Sequence, residues 1–565
     1  MLFNLHLLPF RTELTIVTTA LYTEPSPRSG CNRLCCNQFR AHPVGANEGG
    51  TMGSDVRDHY DYCVIGGGAS GLVAATELAL AGYSVLVLEE GERVAPGSDL
   101  RTAESGWQMA LAPGDPSRTA NPWTARGLGG GTMFFAGIAF RYRELDFAVD
   151  PFLAADALPA SWPLDYQVLR GYYDEIEHRL GVARSADGDP WQPPSASTAL
   201  PPHDYDRRGR LIAEAGQRMG LSPFATPLAI NSLPASGRPA CVGCSGCTER
   251  SCPTGAKGDA VQTILNPTRV PMTIRTGARA VRLLGGRVHR VDAVEWIDTA
   301  SAQRNTTRAE AFLLAANAVQ TARLLLASTT RWAPNGIGNS SGLLGAGLSL
   351  KFSCYLSGRV RDANENPSGG PHSTVAFTDY YLHSDVPGLL GGTIYQANPV
   401  ISADANTLRL HVLAGDHPME RNRVRLAKVC DEFGVPGVML DYRTHPRDAA
   451  RMRFLAERAA DILRAAGADR IRFEPTEFHR GSRHLHGTCR AGKDPGESVT
   501  NRDGRLHDID NVHIVDASTF PFAGGVNPVL TIQANALRIA RELTGRHRPQ
   551  TTPSIESTDL LASTH

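Results

Sequence analysis

Long hydrophobic runs are missing from this chain. Nowhere in its 565 residues do the roughly 18 consecutive apolar residues of a membrane-crossing helix occur, which excludes a membrane-embedded protein. An excess of one charge is missing too. The 57 Lys and Arg balance 57 Asp and Glu, so the general electrostatic attraction used by nucleic-acid or anionic-membrane binders is not expected. Glycine and proline, at 56 and 37 residues, fall short of a low-complexity composition. Cysteine, at 11 residues, is too sparse for a disulfide scaffold. Four of the cysteines nevertheless crowd between Cys241 and Cys252, which suits a ligand set in a reducing compartment and a cytoplasmic location. What is present is 42% hydrophobic residues, ample for a globular core, in a chain long enough for two to four domains at ~150 residues each.

The two ends differ from the rest. MLFNLHLLPFRTELT lacks the basic start and unbroken apolar run of a secretory signal. A Pro/Ser stretch and Cys31, Cys35 and Cys36 follow. Residues 1–56 are expected to form a disordered leader, with Met52 a candidate start and a cleaved targeting segment the alternative. Residues 548–565, rich in Thr and Ser, are expected to be a disordered tail.

Between them, the apolar strand Tyr62-Cys63-Val64-Ile65 runs into Gly66-Gly67-Gly68-Ala69-Ser70-Gly71, then an Ala/Leu-rich helix from Leu72 and a second strand, Ser84 to Leu88, ending on Glu89. This order of strand, G-x-G-x-x-G, helix, strand and acid is a dinucleotide-binding unit. Gly66 permits the tight turn, Gly68 lets backbone approach a pyrophosphate, and Gly71 allows close helix–strand packing. The helix N-terminus favours phosphate charge, and Glu89 is placed to accept from a ribose hydroxyl. The motif alone does not choose between FAD and NAD.

Further segments extend the unit. Arg126 to Met133 contains a second glycine cluster with Gly129 and Gly130. Ala311 to Ala316 reads as a buried strand leading into a helix from Val319. Val512 to Asp516 is another strand, and a helix from about Thr531 follows Gly524-Gly525-Val526-Asn527-Pro528. A cofactor domain assembled from distant stretches is expected.

The segments VIGGGASGLVAATELALAGYSVLVLEEG, ARGLGGGTMFFAG, WPLDYQVLRGYYDEIEHRLGV, FLLAANAVQTARLLLAS, HLHGTCRAG and VHIVDASTFPFAGGVNPVLTIQANALRIA, in this order, resemble the glucose–methanol–choline family of FAD-dependent oxidoreductases. Among its subgroups the chain looks most like bacterial gluconate-dehydrogenase-like and cholesterol-oxidase-like members. The resemblance implies an α/β protein, α+β overall. Its Rossmann-like FAD-binding domain would comprise residues 57–160, 265–340 and 490–547. Its substrate domain, an antiparallel sheet backed by helices, would comprise 161–264 and 341–489, with the Cys-rich insert at 241–252. One departure is Gly345 to Lys351, where many members carry an Asn and a final His.

Oxidising an alcohol requires loss of its hydroxyl proton while the carbon gives hydride to the flavin. The flavin does the electron chemistry and the protein supplies a base and an orienting group. Histidine suits the base because it titrates near working pH. In an extended segment His484 and His486 would share a face. The resemblance puts the base on His484, with His486 orienting its neighbour or bonding structurally. It makes Asn527 the second catalytic position, whose amide donates to the substrate oxygen; a plain turn at Asn527-Pro528 is the alternative. It lays Asp516 and Ala517 along the cofactor, with Asp516 accepting from ribityl hydroxyls or backbone, and the backbone at Val281 near the adenine. The 126–133 segment has no His, which implies noncovalent FAD.

The run Cys241-x2-Cys244-x2-Cys247-x4-Cys252-Pro253 differs by one residue from the C-x2-C-x2-C-x3-C-P of bacterial ferredoxins. It fits an iron–sulfur cluster, a zinc site, or a metal-free or partly disulfide-linked loop. A cluster would favour a dehydrogenase with a redox-protein acceptor; its absence would leave direct reduction of oxygen open. The expected function is FAD-dependent oxidation of the CH–OH group of an alcohol, sugar or sterol, with a flavoprotein isomerase or lyase, or a noncatalytic FAD-binding partner, as rivals.

Overall fold

The computed structural model describes residues 56–546 apart from 101–108, 112–118, 121–123, 197–198, 245–246, 362–370, 399–405 and 476–483. The leader through residue 55, with its three cysteines and Met52, and the tail from 548 lie outside the described residues.

A seven-stranded sheet organises the nucleotide-binding part. Strand His59–Ile65 lies at its centre because Cys63, Val64 and Ile65 are buried, leaving no face for solvent. It pairs in parallel with Val85–Leu88 on one side and Arg304–Leu314 on the other. Thr273–Arg275 extends the sheet beyond Val85–Leu88. Such parallel neighbours need crossovers, and the helix Ala69–Leu80 supplies the first. That helix is buried from Ser70 to Ala79, as its Ala, Leu and Val content requires, and packs against the last helix, Val529–Thr544.

The strand Arg304–Leu314 is longer than its apolar end suggests. Its first half, RNTTRAEA, alternates exposed and buried residues and pairs antiparallel with Ala293–Asp298, which pairs in turn with Ala278–Leu284. Its second half takes Val512–Ile514 as a parallel neighbour. The polar alternation belongs to a half-exposed hairpin and the apolar run to the buried sheet centre.

A second, six-stranded sheet is antiparallel throughout, in the order Asp469–Pro475, Ser353–Arg359, Thr407–Ala414, Gly392–Gln396, Val375–Phe377, Phe224–Ala225. The helices Arg207–Arg218 and Pro446–Ala465 back it through a core that includes Leu410, Val412, Leu455 and Ile462. A smaller sheet joins Arg423–Cys430 and Pro436–Asp441 to Met109–Leu111 and Thr119–Ala120. The α/β class and the helix-backed antiparallel sheet are as expected.

The helix Tyr166–Leu180 packs against the last helix and is locked to the segment around Tyr142 by one buried cation. Arg141 donates to both carboxylate oxygens of Glu177, at 2.8 and 2.7 Å, to Asp174 at 2.7 Å and to the Tyr166 hydroxyl at 3.0 Å. Replacing Arg141 with Met leaves buried carboxylates without their cation, and should cost about 3–5 kcal/mol, read as a loss of denaturation midpoint; a change below ~1 kcal/mol would show the network to be dispensable.

Candidate active site

Two glycine turns meet at the sheet's C-terminal edge. Gly66 follows its strand at φ 106°, and a Cβ there would lie 2.4 Å from the Ala315 carbonyl oxygen. A Cβ on Gly71 would fall 1.9 Å from the Gly66 oxygen, so the helix sits closer to the turn than any side chain allows. Gly68 caps the helix without a side-chain hydrogen bond, leaving N-terminal N–H groups available to an anion. The second segment approaches from the other side. The Gly129 N–H donates to the Gly67 carbonyl at 2.8 Å, and a Cβ on Gly130 would lie 2.9 Å from Gly68 Cα.

Glu89 joins these turns. Its carboxylate accepts from the N–H of Gly67 at 2.8 Å, Gly91 at 2.9 Å and Gly127 at 3.1 Å. Burial pushes its pKa up, and the three N–H bonds pull it back. Asp516 is similarly engaged. It accepts from the Thr321 hydroxyl at 2.6 Å, from Ser518 N–H at 2.9 Å and from the Ser518 hydroxyl, and burial raises its pKa above the usual carboxylate range. Ala517 is buried and its carbonyl accepts from Gly487 N–H at 3.2 Å. This bond brings the histidine segment against the C-terminal strand. Val281 lies at an irregularity in its strand pairing, and its carbonyl accepts from buried Arg323 at 3.4 Å.

His484 is half-buried, whereas His486 is fully buried. His486 Nδ1 lies 2.9 Å from the His484 carbonyl oxygen and Nε2 lies 3.3 Å from the Tyr142 hydroxyl. A carbonyl can only accept, so Nδ1 carries the proton. Burial and the nearby Lys351 charge hold the His486 pKa well below the ordinary histidine value.

The turn before the last helix is anchored residue by residue. The Tyr142 hydroxyl donates to the Ala523 carbonyl. Gly525 N–H donates to the Tyr381 hydroxyl at 2.7 Å, and the Gly525 carbonyl accepts from Thr393 at 3.0 Å. Lys351 Nζ donates to the Val526 carbonyl. Asn527, next in line, is buried with its Oδ1 unpartnered. Further on, inside the last helix, Gln533 is fully buried and neither its oxygen nor its nitrogen has a partner. Buried amides left unpaired cost free energy, so these atoms fit contact with a polar ligand. With the glycine cradle and the uncapped helix, they make the residues present compatible with FAD.

The sequence reading missed Tyr142 and Tyr381, and reached Lys351 only as the last residue of the Gly345–Lys351 departure, with no role assigned. The lone Lys of GLSLKF, enclosed by apolar residues, is the one signal that could have exposed Lys351. The aromatic residues carry no motif.

The cysteine run is less clear-cut. Cys241, Cys244, Cys247 and Cys252 are free thiols, with Ser245 and Gly246 outside the described residues. Among the described residues, the one group of three or more His, Cys, Asp or Glu ligand atoms within 4.8 Å of one another is His417, His445 and Asp448, where Asp448 is already paired with Arg451 and His417. No three of the four thiols lie within 4.8 Å of one another among the described residues, although Cys241, Cys244 and Cys252 all act electrostatically on Cys247. Lys257 holds their loop. Its buried amine donates to the carbonyls of Phe135 at 2.9 Å, Cys247 at 2.7 Å and Arg250 at 2.8 Å.

Family models for GMC oxidoreductases match residues 60–351 and 418–536. The chain belongs to the GMC oxidoreductase family. It is accordingly an FAD-dependent enzyme that oxidises CH–OH groups. It is 44% identical to 6'''-hydroxyparomomycin C oxidase of Streptomyces lividus, over 86% of this chain and 91% of that one. It is 41% identical to paromamine 6'-oxidase of Streptomyces fradiae, over 89% and 95%. It is 28% identical to 2-methyl-1,2-propanediol dehydrogenase of Mycolicibacterium austroafricanum, over 89% and 99%. Pyridoxine 4-oxidase from Mesorbium loti shares the fold, with TM-score 0.63 at 21% identity over 86% of this chain and 100% of that one. Among the described residues no helix is long and apolar enough to cross a membrane.

Replacing Glu89 with Ala removes one acceptor for three buried N–H donors at ~1–3 kcal/mol each. The variant should purify with less FAD and a lower melting temperature; full FAD occupancy at wild-type stability would show that the turns hold without it.

Proposed function

We propose that this enzyme oxidises a hydroxyl group of an amino-sugar substrate of the paromamine and paromomycin kind, with His484 as base and Asn527 as the donor to the substrate oxygen. The observation that carries the site assignment is the contrast between the two histidines. His486 is enclosed, has both ring nitrogens near polar atoms and resists protonation. It suits orienting His484 through that residue's carbonyl. His484, half-buried, is left to take the proton. Asn527 sits on a turn whose neighbours are anchored, which suits an amide held in a fixed place toward substrate. When bound, FAD supplies the hydride acceptor.

The Gly66, Gly68, Gly71, Gly129 and Gly130 backbone would hold the pyrophosphate end, with Glu89 ordering these turns, Asp516 and Ala517 along the middle and Val281 toward the adenine. The two-part division at 57–160, 265–340 and 490–547 against 161–264 and 341–489 follows the same reading. FAD is held noncovalently, since 126–133 offers no His. Oxygen is the acceptor, a reading supported by the two relatives named as oxidases. The free thiols suit a cytoplasmic location.

An anaerobic panel followed at the flavin band tests the substrate class. Paromamine should bleach the flavin while gluconate and cholesterol leave it oxidised; the reverse pattern would replace the amino sugar. Flavin-replete His484→Ala should reduce ~10²–10⁴-fold more slowly, the usual cost of a lost general base, with His486→Ala less affected. A wild-type rate in His484→Ala would remove the assignment. Acid should release the FAD into the supernatant. Iron with acid-labile sulfide in anaerobically purified protein would put a cluster on the cysteine loop and reopen a redox-protein acceptor.

A further inference from the structure

Lys351 is a fully buried lysine whose amine has, among the described residues, one hydrogen-bond partner, the Val526 carbonyl. It lies over the Tyr142 ring, 5.3 Å from the centroid. Among the described residues no carboxylate touches the amine; Asp416 accepts the backbone N–H of Lys351 at 3.2 Å, and Asp146 and Asp416 act on the amine from a distance. Both acids are already engaged. Asp146 accepts from Tyr381 at 2.9 and 2.8 Å and from Arg143 N–H at 2.7 Å. Asp416 accepts from Tyr442 at 2.7 Å, from Leu350 N–H at 3.0 Å and from the Ser349 hydroxyl. The backbone of Lys351 itself occupies the left-handed region at φ 53°, a conformation that a residue with a side chain keeps only when its surroundings impose it. A dry cation on a strained residue has no role as a mere core filler.

Two segments meet at this side chain. Val526, which it holds, precedes Asn527. Tyr142, on which it rests, donates to Ala523 at the start of the same turn and faces His486 Nε2. His486 reaches back to the His484 carbonyl. We propose that Lys351 is a positioning residue for alcohol oxidation, keeping the Asn527 turn and the histidine segment in one register through Val526 and Tyr142. This rests on the assignment of His484 and Asn527 as the reacting pair.

The charged groups facing the amine are Asp146, Asp416 and, when protonated, His486, with the Tyr142 phenol beside them. Burial outweighs the two acids and pulls the lysine pKa down to about 7. The amine is therefore charged below that pH and neutral above it, and a charged donor holds a carbonyl more firmly.

The test compares Lys351→Met and Lys351→Arg as FAD-replete enzymes. The rate constant for anaerobic flavin reduction by saturating paromamine is followed across pH. In the wild type this constant should fall as pH rises through about 7. Lys351→Met should lose up to ~10²-fold in the limiting rate, as expected for misplaced reacting groups, keep its KM, and lose the falling limb. Lys351→Arg should recover much of the rate and carry it to higher pH, since guanidinium stays charged. A merely structural lysine would leave the limb in place in every variant that folds, and that result overturns the proposal. Should Lys351→Met fail to fold, Lys351→Arg decides alone by whether the limb moves. His484→Ala separates the two assignments. If it abolishes reduction while both Lys351 variants match the wild type, the base stands and the positioning role falls. If His484→Ala also matches the wild type, both fall.

Discussion

One buried carboxylate holds together parts of the chain that are far apart in sequence. Gly67, Gly91 and Gly127 each point an N–H into the space beside the second strand, and Glu89 at that strand's end accepts all three. Left unpaired, three buried donors would cost several kcal/mol, at ~1–3 each. One side chain with two acceptor oxygens resolves them at once. The second glycine segment is thereby fixed against the first, and only residues without a Cβ permit the resulting approach of Gly130 to Gly68. Phe134 and Phe135 follow directly from that segment. Their carbonyls receive Glu249 N–H and the Lys257 amine, so the cysteine loop inherits its position from the same carboxylate.

The opposite end of the site uses neutral groups for the same purpose. Gly524 and Gly525 lie so close to Tyr142 and Tyr381 that a Cβ would come within 2.8 and 2.6 Å of the rings. The phenols then bind the turn's backbone at Ala523 and Gly525. Aromatic rings suit this because they fill the core with an apolar face and present one hydroxyl at a fixed distance. The consequence is a turn with few ways to move, ending on an asparagine whose oxygen has been given nothing to bind.

These two ends were unequally legible in the sequence. The first turn could be read because each of its glycines answers a local demand, and local demands leave spacing patterns. The contacts of Glu89 could not be read the same way: a terminal acid after the second strand suggests a ribose partner, yet the carboxylate binds backbone from three separate stretches. Strand Arg304–Leu314 was visible only in its apolar half, because its polar half is set by a hairpin partner and not by burial. Tyr142, Tyr381 and Lys351 left almost no trace. Their positions depend on a turn 144 to 381 residues away, and long-range pairing of that kind writes no periodicity into either partner.

The choice between the two histidines also turns on environment and not on spacing. A base must hold a proton near working pH and meet its substrate. His486 is sealed among Tyr142, Phe520 and Lys351, with ring centroids 5.7 Å from Phe520. A proton arriving there would sit beside a second cation in a dry cavity, where repulsion between like charges is weakly screened. His486 thus serves best as a neutral donor to the backbone of its neighbour. The same repulsion works on Lys351: with Asp146 and Asp416 already bonded to neutral donors, neither carboxylate is bound to the amine, and the pocket tolerates one positive charge at a time. The proposed role of His484 as base rests on the contrast between the two histidines, since its neighbour in the segment is enclosed and held neutral while His484 itself is half-buried.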